Sequence, residues 1–134
     1  MSNASRPSLL IADDNADFRD IVREVAEPEG WAVTECNNGA ELMAALKATD
    51  RPSCVVLDLV MPEMDGIETL MAFLSAESIP EIILVSGSDP VHLQTAEIIL
   101  AERDVTLLAK LRKPVPVREL RAALAKSSLA AAAS

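Results

Sequence analysis

Five polar side chains stand where apolar runs of this sequence stop. Leu9–Ala12 gives way to Asp13-Asp14, Cys54–Leu57 to Asp58, Ile82–Val85 to Ser86, and Val105–Leu111 closes near Lys113. Three carboxylates brought together repel one another unless a cation stands between them. An all-oxygen set suits Mg²⁺, which keeps several waters and takes one or two carboxylates plus phosphate oxygens. With that charge screened, one carboxylate can attack phosphorus, while an ammonium and a hydroxyl stabilise the phosphoryl oxygens. Taken singly, each of these residues reads as an ordinary solvated charge. Placed together at four run ends, they predict a phosphoryl-transfer site.

That prediction needs elements that bring the run ends together. Short apolar runs alternate with helical periodicity along the chain, the pattern of an α/β domain with a parallel sheet. Leu9–Ala12 reads as the first strand. Asn15 can cap a helix with Phe18, Ile21, Val22, Val25 and Ala26 inward, ended by Pro28 and Gly30. Trp31–Cys36 reads as the second strand, and Asn38 with Glu41 resembles a capping box before a helix burying Leu42, Ala45 and Leu46. Cys54–Leu57 is a continuous apolar run, as expected of a strand covered on both faces. A loop through Met61–Gly66 leads to a helix with Ile67, Leu70, Met71 and Leu74 on one side. Ile82–Val85 is the fourth strand, Asp89-Pro90 opens a helix to about Glu102, and Val105–Leu111 is the fifth strand. Val117, Leu120 and Leu124 mark the last helix. Parallel strands point one way, so the four polar ends share one sheet edge, where ligands of open α/β sheets bind.

Size and charge narrow the function classes. The chain has 134 residues, enough for one core. The boundaries expected are a domain over 8–126, a disordered N-terminus or cloning remnant over 1–7, and a frayed tail over 127–134. The net charge of −9 argues against nucleic acid and anionic membrane as partners. Residues 1–100 carry 5 basic and 18 acidic side chains, whereas residues 101–134 carry 7 basic and 3 acidic. The basic 103–126 face is therefore either a solvated surface or a docking surface. Cys36 and Cys54 are expected to be reduced core thiols. With no signal-peptide pattern and no apolar run long enough to cross a bilayer, the expected location is cytoplasmic.

With these residues in place, the chain resembles the receiver domains of two-component response regulators over nearly all of residues 8–126. The motifs are Ile11-Ala12-Asp13-Asp14-Asn15, Val56-Leu57-Asp58-Leu59-Val60-Met61-Pro62 followed by Met64-Asp65-Gly66, then Ser86, and Lys113-Pro114. The resemblance implies a doubly wound (βα)5 fold, a three-layer α/β/α sandwich with the flavodoxin-like strand order 2-1-3-4-5. It also implies residue roles. Asp58 is the phosphoacceptor, and Mg²⁺ is held by Asp13, Asp14, Asp58 and the Val60 carbonyl. Lys113 pairs with Asp58 and then with the phosphoryl group, Ser86 hydrogen-bonds a phosphoryl oxygen, and the Gly87 N–H assists. The Lys113–Pro114 peptide is expected cis. The implied donor is a phosphohistidine on a sensor histidine kinase or histidine phosphotransfer protein, and the output is through protein contacts, with homodimerisation left open. The chain is thus expected to be a signalling switch that acquires and loses its own phosphoryl group, not an enzyme acting on other substrates.

Two positions depart from the pattern. Lys110 stands where the resemblance implies an aromatic switch residue, either solvated or part of a basic face with Arg112, Arg118 and Arg121. Val60, two residues past Asp58, cannot hydrogen-bond a hydrolytic water. The same residue counts against a haloacid-dehalogenase-type phosphatase, which needs an acid there to protonate its leaving group. A dinucleotide-binding domain would need glycines where the first turn is acidic. A receiver-like module that is never phosphorylated is a third reading. The sequence leaves open whether the chain is a single-domain regulator or part of a longer protein.

Overall fold

A computed structural model describes residues 6–48, 53–59, 66–74, 79–87, 90–103 and 105–130. Five strands are β1 (Ser8–Ala12), β2 (Ala32–Cys36), β3 (Ser53–Asp58), β4 (Glu81–Ser86) and β5 (Leu107–Arg112). Five helices alternate with them: α1 (Ala16–Ala26), α2 (Gly39–Ala48), α3 (Gly66–Leu74), α4 (Pro90–Ala101) and α5 (Val117–Ala125). All strand pairs are parallel, in the order β2-β1-β3-β4-β5. This is the doubly wound order expected above.

Alternation along each strand divides the core into two layers. Leu9 and Ile11 of β1, Cys54 and Val56 of β3, and Ile83 and Val85 of β4 pack with Phe18, Val22 and Val25 of α1 and Leu120 and Leu124 of α5. The intervening residues, Leu10, Val55, Leu57, Ile82 and Leu84, pack on the opposite face with Leu42, Leu70, Leu74, Ala96 and Leu100. Burial on both faces is why these strands read as unbroken apolar runs. Cys36 and Cys54 fall in opposite layers, and both are free thiols. Burial pushes the Cys36 thiol up to about 11 and the Cys54 thiol higher still, so both stay protonated and inert at neutral pH.

Helix ends follow the expected capping chemistry, with differences of detail. Asn15 Oδ1 accepts from the N–H groups of Asp17 and Phe18, satisfying two orphan donors of α1. Gly30 takes φ 98°, the left-handed turn that closes the Glu27–Glu29 3-10 turn after α1. At α2, Asn38 Oδ1 accepts from Glu41 N–H, and the Glu41 carboxylate accepts from the N–H of Asn37. Ile21 and Met71, expected inward, are exposed; the buried stripes are centred on Val22 and on Leu70 with Thr69. β5 starts two residues later than expected, beside a register shift between Ile82 and Ile83. Asp89, the expected cap of α4, lies outside the described residues.

Packing extends beyond the 8–126 span at both ends. The Pro7 carbonyl accepts from Ala32 N–H, which prolongs the β1–β2 ladder upstream. After α5, Ser127 is buried and its hydroxyl bonds Glu81, while Ser128 donates from its N–H (3.1 Å) and Oγ (2.9 Å) to Glu81 Oε2. Leu129 and Ala130 pack on the α1/α5 layer. The fraying expected from Ser127 therefore does not begin there, because one carboxylate at the start of β4 collects several donors. Glu81→Ala is expected to destabilise the fold by about 1–3 kcal/mol, the range for charge-assisted hydrogen bonds. Urea melts of the variant check this, and an unchanged midpoint would mean the latch contributes nothing.

Candidate functional site

Strand register sets out the site before any side chain is considered. Ala12 is level with Leu57, so Asp13 follows β1 beside Asp58 at the end of β3. Asp58 is level with Val85, and Ser86 with Arg112, so Ser86 and Lys113 continue the same line at the ends of β4 and β5. Neighbouring parallel strands lie about 4.8 Å apart, close enough for these side chains to meet. β1 and β3 flank the point where strand order reverses, the place in an open sheet where loops diverge and leave a crevice.

Three carboxylates converge in that crevice. One oxygen each from Asp13, Asp14 and Asp58 lies within 4.8 Å of the others. Asp13 and Asp58 are buried, at 0% and 5% exposure, and Asp14 is open to water. Lys113 Nζ reaches over the ends of β4 and β3 to stand 2.8 Å from Asp13 Oδ2 and 3.5 Å from Asp58 Oδ2. The Lys113 ammonium is the ion-pair partner of Asp13 Oδ2, an oxygen with no further partner among the described residues. Burial pushes the Lys113 ammonium down, but its contacts with Asp13 and Asp58 outweigh that and hold its pKa above the ordinary lysine value. Phe18 lies beneath it, ring centroid 5.0 Å from Nζ.

The backbone around the cluster is tightly held. Asp13 donates its N–H to Cys36 O (3.1 Å), its carbonyl accepts from Arg19 Nη1 (2.7 Å), and its Oδ1 accepts from Asn15 N–H (2.9 Å). Lys113 N–H donates to Ser86 O (2.9 Å), and Leu59 N–H to Val85 O (3.0 Å). The Lys113–Pro114 peptide is cis. Ser86 is buried at its strand end. A side chain built at Gly87 would meet no atom of the described residues within 4 Å. Val60 lies outside the described residues.

The donor set fits a divalent magnesium ion. Every ligand atom is a hard oxygen, two of the carboxylates are buried, and the third faces water. Three carboxylates against one ammonium leave a formal charge of −2, which a single divalent cation balances.

Comparison with known proteins follows the geometry. The family described as the response regulator receiver domain matches residues 9–125. The chain belongs to this family. Among curated relatives, sporulation initiation phosphotransferase F of Bacillus subtilis is 29% identical over 119 residues, covering 88% of this chain and 90% of that protein. An uncharacterized 14.6 kDa protein of Leptolyngbya boryana is 34% identical over 89 residues, covering 64% of this chain and 67% of that one. The matched segment covers only 36% of a CpxR homolog of Haemophilus influenzae and 47% of the response regulator MprA of Mycolicibacterium vanbaalenii. A response regulator receiver protein from Pseudomonas putida shares the fold, with a TM-score of 0.79 at 24% identity, over 91% of this chain and 98% of that one. No helix among the described residues is long and apolar enough to cross a membrane.

Sequence reasoning assigned no site role to Phe18 or Arg19. Both lie in the first turn and a half of α1, directly after the acid pair, where a helix side chain points back toward the preceding loop. That direction was the available signal. Lys110, about half exposed, pairs with Glu97 of α4 at 2.9 Å, which ties the edge strand to that helix.

Proposed function

We propose that this receiver domain is a phosphorelay switch whose phosphoacceptor is Asp58. The observation that carries the reading is the Lys113 ammonium set against two buried carboxylates, Asp13 and Asp58, with Asp14 completing the cluster. Asp58 is at the tip of a central strand, rigidly placed for attack. Its carboxylate oxygen forms a bond to phosphorus as the P–N bond of a phosphohistidine breaks, and the imidazole leaves with the electron pair. Asp13, Asp14, Asp58 and the Val60 carbonyl would hold Mg²⁺, which when bound supplies charge neutralisation for the phosphoryl oxygens. Lys113 balances the phosphoryl charge from the β5 side, and Ser86 offers its hydroxyl from β4, with the Gly87 N–H beside it. Water then cleaves the acyl phosphate and restores the carboxylate, slowly because Val60 gives that water no hydrogen bond.

The phosphoryl donor is a sensor histidine kinase or a histidine phosphotransfer protein, the chain works in the cytoplasm, and its output passes through protein contacts. The basic 103–126 face supports such contacts, although its charge is partly compensated within the domain by Glu97 on Lys110 and Glu29 on Arg121. The family assignment and the intact acid–lysine set favour this reading over a phosphatase or a silent module.

Incubation with acetyl phosphate tests the proposal. A mass increase of one phosphoryl group is expected with Mg²⁺ and its absence with chelator. An unmodified protein under both conditions would overturn the reading.

A further inference from the structure

We infer that Arg19 is a positioning residue that sets where the Asp14 carboxylate sits, and with it the cation affinity of the acid pair. The inference rests on Asp13, Asp14 and Asp58 being the cation site.

Asp14 is exposed, and among the described residues none makes a hydrogen bond or ion pair with its carboxylate. Its place is therefore dictated by the backbone it hangs from. That backbone is the Asp13–Asp14 peptide, whose carbonyl accepts a short, charge-assisted hydrogen bond of 2.7 Å from Arg19 Nη1. The peptide plane cannot rotate without breaking that bond, because Asp13 N–H is held by Cys36 O and Asp13 Oδ1 by Asn15 N–H.

Arg19 can act as a strut because its far side is anchored. Its side chain is 13% exposed, and Nε donates to Glu35 Oε1 of β2 at 3.1 Å. Glu35 is fixed in turn by Arg23, whose Nε donates to Oε2 at 2.9 Å and whose Nη2 donates to the Val33 carbonyl at 3.3 Å. Hydrogen bonds from Arg23, and then Arg19, hold the Glu35 carboxyl below its usual range against the opposing push of burial. Glu27 pairs with Arg23 Nη1 at 2.9 Å, so two guanidinium groups meet two carboxylates. The network is formally neutral. Arg19 thus aims the acid pair without setting an uncompensated positive charge beside a cation.

A purely structural tie between α1 and β2 would need only the contact with Glu35. The bond to the Asp13 carbonyl is what links the network to the site. The two roles differ in sign as well. Removing a positive charge near the acid pair strengthens cation binding on electrostatic grounds alone, whereas releasing the peptide plane weakens it.

Mn²⁺ binding to the intact chain, read by electron paramagnetic resonance of the free ion, separates these outcomes. Arg19→Met keeps the aliphatic stem and removes the donors. Its Mn²⁺ dissociation constant is expected to rise about tenfold or more, as when outer-shell partners of metal ligands are lost. Arg19→Lys keeps the charge but not the planar fork, and is expected to raise the constant about threefold or more, short of Arg19→Met. Arg121→Ala, whose partner Glu29 is remote from the cluster, is expected to bind as wild type does. Binding by folded Arg19→Met that is tighter than wild type, or within about twofold of it, overturns the inference. Should Arg19→Met fail to melt cooperatively, Arg19→Lys decides on the same criterion. A wild type that binds no Mn²⁺ would refute the cation site itself, and the role of Arg19 with it.

Discussion

Lys113→Ala is expected to slow phosphorylation from a small phosphodonor by roughly 10²-fold, the lower end of the loss seen when one charge-stabilising donor is removed from an acyl- or phosphoryl-transfer site. The reason is positional. Lys113 is the cation 2.8 Å from Asp13 and 3.5 Å from Asp58. The same substitution leaves two buried carboxylates without this counter-ion, so the fold without added metal should lose about 2 kcal/mol, below the usual cost of breaking a fully buried pair because Lys113 is partly open to water. Mg²⁺ should recover more stability in the variant than in the wild type.

The pH dependence of that contribution has a definite sign. The Lys113 pKa is raised in the folded chain, so its stabilisation is fully present below the unfolded lysine value and is lost as pH rises through the folded one. Through the neutral range it contributes no pH dependence; any loss belongs to the alkaline limb. Parallel measurements of the phosphorylation rate and of urea midpoints with and without Mg²⁺ check both halves. A rate within severalfold of wild type would remove Lys113 from the chemistry.

Asp14→Asn should move affinity and stability in opposite directions. Asp14 is the exposed member of the cluster, repelled by two buried carboxylates and held by no side-chain contact among the described residues. Removing its charge should raise stability in chelator by about 0.5–1 kcal/mol, the scale of an exposed charge interaction. It should also weaken Mg²⁺ binding by roughly 10²-fold, since losing even an outer-shell partner of a metal ligand costs 10–100-fold. Calorimetric titration with Mg²⁺ and thermal melts in chelator provide the two readings. A variant destabilised in chelator would mean Asp14 serves packing rather than metal.

How much of this could be read from the residues differs by level. Strand identity was plain because burial on both faces removes alternation, leaving runs such as Cys54–Leu57 that stop at a polar residue. The same stops located Asp13, Asp58, Ser86 and Lys113, since parallel register places strand ends on one edge. Side-chain direction was less legible. Met71 falls at helical spacing from Ile67 and Leu74, yet it is 59% exposed because Thr69 takes a place on the buried face of α3. The tail past α5 reads as low-complexity sequence, and only the donors meeting at Glu81, 46 positions away, hold Ser127 in place. The preference of Lys113 for Asp13 over Asp58 is likewise a product of tertiary geometry. Arg19 escaped notice for the same reason: a surface arginine on a helix looks solvated until the partner strand supplies Glu35.

The central claim is that one carboxylate, at the tip of β3, carries the phosphoryl group. Borohydride reduces an acyl phosphate to the alcohol, so trapping the phosphorylated chain and sequencing its peptides by mass spectrometry marks the acceptor as homoserine. The account predicts the mark at residue 58, and no trapped product from Asp58→Asn. A mark at Asp13 or Asp14, or phosphate retained by Asp58→Asn, would contradict it.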